Sequence, residues 1–474
     1  MTHSHKTQIG TLLATCAIVF LSSTVLTTTS LDIPRSPQTS LFPTLSFGGY
    51  AAEAAGPQSA AEAALTRVAQ RMSRRIVRDQ GTSPSLSSLK KALIEQRELL
   101  QHSVTVTLQL PDTLSYRTWN VSLQRYPTWL KAEISPAAAH FRVDEERISQ
   151  YLQQETIDGI VPPRKAVITD VVQDRDVQRV VTSTGAARSG IVFDLPSVSR
   201  DLTSALTEGT EAITEPLYVA GGPIENLSGV PLGDLTLLGT GKSDYKGSPF
   251  DRIYNVRKAI NQQVNNTVVP PGATFSFNET LGGPITNGNG WRDAKVIFNA
   301  TELKMAPGGG ICQASTTTFR AMLSAGFTPV KRANHSMYVT YYEKYGVGID
   351  ATVYPGKQDL TFVNDTGNFL LFQAYTEGTE AVVQIYGTPD GRETQISGPY
   401  FSSSDLSDFP ADERSPRSNE IAWVQRIAFP DGTEKQQVIV SRYNSLPRSL
   451  ALKYETLHAS AAGKLSATLV EKGL

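Results

Sequence analysis

Cysteine is scarce in this sequence, with only Cys16 and Cys312 among 474 residues. Cys16 lies in an uncharged, mostly apolar run at 9–29, directly behind the basic start MTHSHK. Such a run is typical of a secretory signal or an N-terminal anchor, so residues 1–29 are predicted to be a leader and the chain to be exported. The folded part then holds one thiol, which excludes an internal disulfide and makes an exposed, unused cysteine a liability.

The sequence also lacks an excess of either charge, since 44 basic and 45 acidic residues leave a net charge of −1. Without a basic field, no nucleic-acid partner is expected. The six histidines include no pair at metal-ligand spacing, and no Cys-x-x-Cys occurs. The glycine-rich stretch 282–290 lacks the lysine of a phosphate loop. The sequence therefore predicts no metal and no other cofactor.

Changes of composition and hydrophobic period divide the rest of the chain. Proline-rich residues 30–57 predict a linker, and residues 58–100 predict a helical segment. Alternating apolar residues and capped helices in 101–225 predict a small α+β module. The main domain is predicted at 238–397, and 398–474 contain a polar insert and a C-terminal β-hairpin. The fold class is therefore α+β, with a cysteine-bearing helix packed on an antiparallel sheet and a smaller α+β module before it.

Cys312 follows three glycines in GGGICQASTTTFRAM, at the predicted start of a helix. Glycines let backbone amides point into a common space, as an oxyanion hole requires, and the positive end of a helix favours a thiolate. Cys312 is the candidate nucleophile, and Gly309, Gly310 and Gln313 are candidates to bind the oxyanion or substrate. The alternatives are a small buried apolar cysteine and a glutamine that only bonds to the helix start.

A thiolate nucleophile needs a base, and His335 is the candidate because it lies in a predicted hairpin shortly after the cysteine helix. With a loop at 341–344, His335 faces Asp350 with β-carbons roughly 4.5–5.5 Å apart. A longer loop would pair Asp350 with Met337 instead. His335 is predicted to act as base and later as acid, and Asp350 to orient it. A satisfied core histidine and a turn-forming aspartate are the plain alternatives.

Further polar and aromatic residues follow predicted strands nearby. Asn278 and Glu279 end the stretch TFSFNE, where they either contact substrate or cap the next turn. Trp291 and Arg292, in NGNGWRDA, either form a binding rim or anchor a loop. Residue types alone do not separate these alternatives.

Several of these motifs resemble the VanW-like family, named for an accessory protein of vancomycin-resistance clusters. The stretches that carry the resemblance are PPGATFSFNETLGG, GGGICQASTTTFRAMLSAG, NHS and GIDATVYPG, within residues 238–397. The resemblance implies a bacterial cell-envelope protein and leaves its reaction open. Upstream, Trp119, FRVDEERI and DLPSVSRDL resemble a peptidoglycan-binding module often found before such domains. This second likeness makes peptidoglycan the expected partner.

The order of cysteine on a helix, then histidine, then aspartate is similar to that of transglutaminase-like and papain-like thiol enzymes. L,D-transpeptidases carry their histidine before the cysteine, so direct membership of that group is disfavoured.

Three functions remain open from the sequence. The first is a thiol acyl-transfer enzyme, a peptidase, amidase or transpeptidase, that acts on peptidoglycan peptides. The second is a non-catalytic peptidoglycan-binding or envelope scaffold protein. The third is a redox or adduct-forming thiol, which the absence of a resolving cysteine disfavours. In each case we expect an extracytoplasmic protein, in the cell wall or anchored to the membrane, with membrane contact only through the N-terminal segment.

Overall fold

The computed structural model describes residues 57–454 apart from 110–115, 155–156, 158–159, 299–300, 448 and 451–452. The predicted leader, with Cys16, and nearly all of the predicted linker lie outside the described residues. Helices and several sheets of strands confirm the predicted α+β class. Within the described ranges, we find no helix with the length and hydropathy needed to cross a membrane.

The chain folds as two compact units. The first contains residues 57–107, 118–154 and 195–215, and the second consists mainly of 157–194 and 216–454. The predicted module at 101–225 is therefore divided between the two units. The physical reason is strand pairing, because residues 166–182 form strands that hydrogen-bond to the sheet of the second unit.

The first unit contains a helical pair, short strands and a second pair of helices. Its helices are α1 (Pro57–Gln80), α2 (Leu86–Leu99), α3 (Glu145–Gln154) and α4 (Leu195–Glu208). Its strands are β1 (Ser103–Gln109), β2 (Tyr116–Ser122) and the antiparallel ribbon β3 (Leu130–Ile134) and β4 (Ala139–Val143). Val104 and Val106 alternate with partly exposed residues in β1, as a half-buried strand requires. Asp144 begins α3, since its Oδ1 accepts a hydrogen bond from the Glu146 amide at 3.2 Å.

The second unit contains most of the strands. In chain order they are β5 (Ala166–Asp174), β6 (Val177–Thr182), β7 (Gly190–Phe193), β8 (Ala212–Ala220, which begins in the first unit), β9 (Ile224–Asn226), β10 (Thr236–Asp244), β11 (Thr267–Val269), β12 (Thr274–Ser276), β13 (Asp293–Phe298), β14 (Glu302–Pro307), β15 (Pro329–Lys331), β16 (Thr361–Val363), β17 (Leu370–Glu377), β18 (Glu380–Gly387), β19 (Glu393–Tyr400), β20 (Glu420–Ala428) and β21 (Glu434–Arg442). Its α-helices are α5 (Phe250–Lys258), which continues into a π-helix at Ala259–Val264, α6 (Phe277–Thr280) and α7 (Ile311–Ser324).

Seven of these strands form one sheet in the order β10-β18-β17-β11-β6-β5-β9, antiparallel except for the β5–β9 pair. Strands β17 and β18 are buried along most of their length, so both faces of the sheet are covered there. Two three-stranded sheets, β12-β16-β15 and β19-β20-β21, the ribbon β13-β14 and the antiparallel pair β7-β8 complete the unit.

Helix α7 packs directly on β10 and β18. A side chain at Gly241 of β10 would place its β-carbon 2.1 Å from the Thr317 carbonyl oxygen, so this close approach requires glycine. Phe319, Met322 and Leu323 fill the core beneath the helix. The cysteine-bearing helix therefore lies on an antiparallel sheet, as the sequence predicts.

The segment predicted to be a hairpin around 341–344 has a different structure. It contains a 3₁₀ helix, Thr340–Tyr345, and the flanking chain pairs only at the single bridge between Ala333 and Thr352. Arg320 of α7 donates to the carbonyl oxygens of Tyr342 and Gly346, both at 2.8 Å. These bonds hold the segment against α7, which explains why two long strands do not form.

Candidate active site

Helix α7 is buried at every residue except Cys312, which is half-buried in its first turn. The many hydroxyl side chains of the helix form hydrogen bonds with other groups of the protein. Thr317 and Thr318, for example, donate to the carbonyl oxygens four residues earlier, at 2.7 and 2.9 Å. The sequence thus builds a helix that is polar yet buried, and leaves one side chain accessible.

The glycines before the helix have a clear packing role. Gly310 is the N-cap of α7 with φ of 110°, a conformation that disfavours other residues. At Gly309, a β-carbon would lie 2.5 Å from the backbone of Ala294, and the Gly309 carbonyl oxygen accepts from Asn255 Nδ2 at 2.9 Å. Backbone conformation accounts for Gly310, and close packing accounts for Gly309.

Two backbone amides at the start of α7 and the Gln313 side chain are already engaged in hydrogen bonds. The Ile311 amide donates to the Gly308 carbonyl oxygen at 3.0 Å, and the Gln313 amide donates to that of Gly310 at 2.9 Å. The Gln313 side chain is buried, and its Nε2 donates to Ser243 on β10 at 3.1 Å. Among the described residues it has no recorded contact with the thiol, so an oxyanion role for these groups requires the present bonds to be replaced.

The Cys312 thiol lies against the segment that follows Asp350. Its Sγ is 3.5 Å from Thr352 Oγ1 and 3.6 Å from the Val353 carbonyl oxygen. One turn further along α7, Ser315 Oγ donates to the Ala351 carbonyl oxygen at 2.6 Å. These bonds fix the helix start against residues 351–353.

His335 and Asp350 lie together in the interior, with 6% and 2% of their surfaces exposed. His335 Nδ1 is 2.5 Å from Asp350 Oδ2, and the His335 amide donates to the same oxygen at 2.8 Å. The bridge between Ala333 and Thr352 sets the register that places the two residues opposite each other. The structure thus brings the predicted base and its predicted orienting carboxylate together, without the predicted hairpin.

The ionisation of the thiol depends on His335. Burial by itself raises the pKa of Cys312, but a hydrogen bond from His335 and its positive charge outweigh burial and lower the pKa from 9.0 to about 7. The Thr352 hydroxyl and the Val353 backbone contribute smaller parts of this lowering. Burial also opposes the charged form of His335, yet bonds to Asp350 and Cys312 raise its pKa. Together these shifts favour a thiolate–imidazolium pair.

Asp350 has two additional partners that the sequence did not predict. Tyr443, just after β21, donates its hydroxyl to Asp350 Oδ1 at 2.5 Å, and Arg332 Nη2 lies 3.7 Å from the same oxygen. Burial acts to raise the pKa of Asp350, but the bond and charge of His335, with the charge of Arg332, lower it. Tyr443 is 93 positions from Asp350, so local spacing carries no signal for it.

Asn278 and Glu279 lie on α6 and serve to shape the chain there. Asn278 Nδ2 donates to the Gln358 carbonyl oxygen at 2.8 Å, and the Glu279 amide donates to Ser276 Oγ at 3.2 Å. Among the described residues, neither has a recorded contact with Cys312. Ser276, and not Asn278 or Glu279, is the N-cap of α6, and both residues bond to the surrounding chain.

Trp291 and Arg292 likewise make no hydrogen bond or ring contact with Cys312 within the described part of the chain. Trp291 is 3% exposed, and the Lys258 ammonium lies 5.0 Å from its ring. Arg292 pairs with Asp251 at 3.0 Å. Loop anchoring explains these contacts.

No group of three or more His, Cys, Asp and Glu side chains within the described ranges is arranged to hold a metal ion. The second unit is thus an α+β domain that brings a cysteine, a histidine and an aspartate together at the start of a buried helix.

Comparison with known proteins finds a family model that matches part of this unit. Residues 251–386 match the family model described as "VanW like protein". The chain is 34% identical over 144 residues to "Uncharacterized protein YoaR" of Bacillus subtilis (strain 168). That match covers 30% of this chain and 46% of the relative, so the chain spans just under half of the relative's length. No solved structure matches the chain. Residues 251–386 therefore form a VanW-like domain.

Proposed function

We propose that the protein is an exported, thiol-dependent acyl-transfer enzyme that acts on peptidoglycan peptides as a peptidase, amidase or transpeptidase. The observation that carries the proposal is the arrangement at the start of α7, where half-buried Cys312 lies beside a buried imidazole that Asp350 holds; this imidazole lowers the pKa of the thiol to about 7. A buried structural cysteine has no need of such a partner, and burial alone would leave it protonated.

In the proposed reaction, the Cys312 thiolate attacks the carbonyl carbon of an amide bond and forms a tetrahedral intermediate. The His335 imidazolium then gives its proton to the departing amine as the carbon–nitrogen bond breaks, which leaves a thioester on Cys312. Water or an acceptor amine attacks the thioester and gives its proton to His335, and the thiolate is released. Asp350 stabilises the charged imidazole throughout.

The substrate class rests on context. The VanW-like domain and the leader-like residues 1–29 support an extracytoplasmic location in the cell wall or at the membrane, where peptide stems of peptidoglycan are abundant. The resemblance of the upstream module to peptidoglycan-binding segments points the same way. For this chain, the extracytoplasmic location and the peptidoglycan substrate are both part of the proposal.

A non-catalytic envelope scaffold is the second candidate. It is favoured by the packing role of Gly309 and Gly310 and by the engagement of the Ile311 and Gln313 amides. In that case Cys312 is a packed side chain and does not react.

Alkylation of Cys312 by iodoacetamide, followed against pH, separates the two candidates. We expect the rate to rise with a midpoint near pH 7, and to move towards the free-thiol value of about 8.5 in His335→Ala. His140→Ala, an exposed histidine of the first unit, should leave the profile unchanged. A thiol that reacts only on unfolding would overturn the enzyme proposal and support the scaffold.

A test of the reaction itself uses peptidoglycan fragments. We expect mass spectrometry to detect cleaved or exchanged peptides with the wild-type protein and none with Cys312→Ala. A reactive thiol combined with unchanged fragments would contradict the substrate class and leave the thiol chemistry intact.

A further inference from the structure

The C-terminal hairpin, defined as β20, β21 and Tyr443, lies outside the matched residues 251–386 but contacts both segments that carry His335 and Asp350. Between those two segments, backbone pairing is limited to the bridge between Ala333 and Thr352, and side-chain bonds from Arg332 and His335 to Asp350 supplement it. One backbone bridge leaves most of the backbone of these segments without a strand partner. The C-terminal hairpin supplies further contacts that hold the two segments in register.

The hairpin binds the segment that leads to Asp350. Ser441 Oγ donates to the Gly348 carbonyl oxygen at 2.5 Å, and Trp423 Nε1 donates to that of Val347 at 2.7 Å. A β-carbon on Gly348 would lie 2.7 Å from the Ile421 side chain, so β20 packs directly on this segment. Three contacts thus fix the chain just before Asp350.

The hairpin also binds the segment around His335. Arg332 donates to the Val440 carbonyl oxygen at 3.0 Å and to Ser441 Oγ at 2.5 Å. Asn334 Nδ2 donates to the Arg442 carbonyl oxygen at 2.6 Å. Beyond β21, the Asn444 amide donates to the Ser336 carbonyl oxygen at 2.7 Å. The same strand therefore holds both segments.

Tyr443 adds a direct bond to the carboxylate. It is 3% exposed, and its hydroxyl donates to Asp350 Oδ1, whereas His335 bonds to Oδ2. The terminal torsion of an aspartate has a broad energy well, so a carboxylate held at one oxygen can rotate. Donors on both oxygens fix its plane.

We propose that Tyr443 is a positioning residue for Asp350 and that the C-terminal hairpin is part of the active site. This inference rests on the proposed thiol chemistry. Tyr443 acts through Asp350 on His335, and touches neither the thiol nor the reacting carbonyl. The functional unit therefore extends from residue 251 to at least 443, beyond the predicted domain end at 397.

The test is Tyr443→Phe, which removes one hydroxyl and keeps the ring. We expect the alkylation midpoint of Cys312 to rise from about 7, since an imidazole that is less well held stabilises the thiolate less; a rise of one unit lowers the thiolate fraction at pH 7 about fivefold. Tyr400→Phe is the matched control, because Tyr400 is a buried tyrosine of the same sheet whose hydroxyl contacts Ser397. It should leave the midpoint in place.

A Tyr443→Phe midpoint equal to that of the wild type, or below it, overturns the inference. If wild-type alkylation still depends on His335, the proposed function survives that result. A wild-type midpoint at the free-thiol value removes both. Should Tyr443→Phe not fold, Ser441→Ala provides the second test, with the same upward shift expected because Ser441 joins Gly348 to Arg332.

Discussion

Besides His335, the Thr352 hydroxyl and the Val353 carbonyl oxygen contact the Cys312 sulfur, and the hydroxyl can be removed by substitution. Thr352 Oγ1 lies 3.5 Å from Sγ and lowers the pKa of the thiol, but less than His335 does. Replacing Thr352 with Val keeps the shape and removes the hydroxyl. We therefore expect the alkylation midpoint of Thr352→Val to lie between that of the wild type and that of His335→Ala.

The control for this change is Thr361→Val, on β16. Its hydroxyl is buried and has no hydrogen-bond partner among the residues that the structure describes, so the same substitution there alters no contact with the site. A Thr352→Val midpoint above that of His335→Ala would show that Thr352, and not the imidazole, dominates the ionisation of the thiol.

The pair of Cys312 and His335 predicts a pH window for acyl transfer. The thiol pKa is lowered to about 7 and the imidazole pKa is raised to about 10, so the charged pair exists between these values. Below the window the thiol is protonated. Above it the imidazolium has lost the proton that the leaving amine needs.

We expect alkylation to rise through pH 7 and stay high at pH 11, since it requires only the thiolate. Acyl transfer on peptidoglycan fragments should rise over the same range and fall again above about pH 10. Measured on one preparation, transfer that keeps pace with alkylation up to pH 11 would remove His335 from the role of acid.

At the scale of elements, α7 fixes the loop before Asp350 through one side chain. Arg320 is 6% exposed and donates to four carbonyl oxygens, those of Lys242, Tyr342, Gly346 and Ile349. Burial lowers its pKa to about 10, and its planar group matches this set of acceptors. The helix that carries the thiol therefore also positions the segment that leads to the carboxylate.

Arg320→Lys keeps the positive charge but loses the planar guanidinium group, whose N–H groups donate to the four carbonyl oxygens. We expect the free energy of unfolding to fall by about 2–3 kcal/mol, because buried carbonyl oxygens are left without partners. Urea denaturation measures the change. Arg257→Lys, at an exposed arginine of α5, should stay within about 0.5 kcal/mol of wild type. A loss of that small size at Arg320 would mean that the loop is held by other contacts.

At the scale of the whole molecule, features formed by residues close in sequence could be predicted from the sequence. Contacts between distant segments could not. The facing of His335 and Asp350 followed from counting residues across one turn, and the bridge at Ala333 and Thr352 has the same register. The α7 helix and its start at the glycines followed from spacing and glycine content. In both cases the partners lie within about one turn or one loop of each other.

Contacts between distant parts of the chain gave no sequence signal. Tyr443 meets Asp350 across 93 positions, and β6 joins the sheet of the second unit beside β11, more than 80 positions later. The 3₁₀ helix at Thr340–Tyr345 depends on Arg320, whose role is visible only once α7 lies on β10. Hydrophobic periodicity indicates which face of a strand is buried, but it does not indicate which other strand pairs with that strand.

Acid stability of the second unit depends on Glu420, at the start of β20. Its carboxylate is 1% exposed, and hydrogen bonds from Arg414 first, and also from Arg442, lower its pKa from 4.5 to about 2. A depressed carboxyl pKa stabilises the folded state above pH 4.5, and this contribution is lost as pH falls through 2. Glu420→Gln should therefore unfold in less urea than wild type at pH 6, and the difference should shrink towards pH 2, where about half of the wild-type carboxyl groups are protonated in the folded state. Glu434→Gln, at an exposed position of β21, should show no such trend. If the difference in urea midpoint between Glu420→Gln and wild type stays constant with pH, Glu420 stabilises the hairpin by its shape and not by its charge.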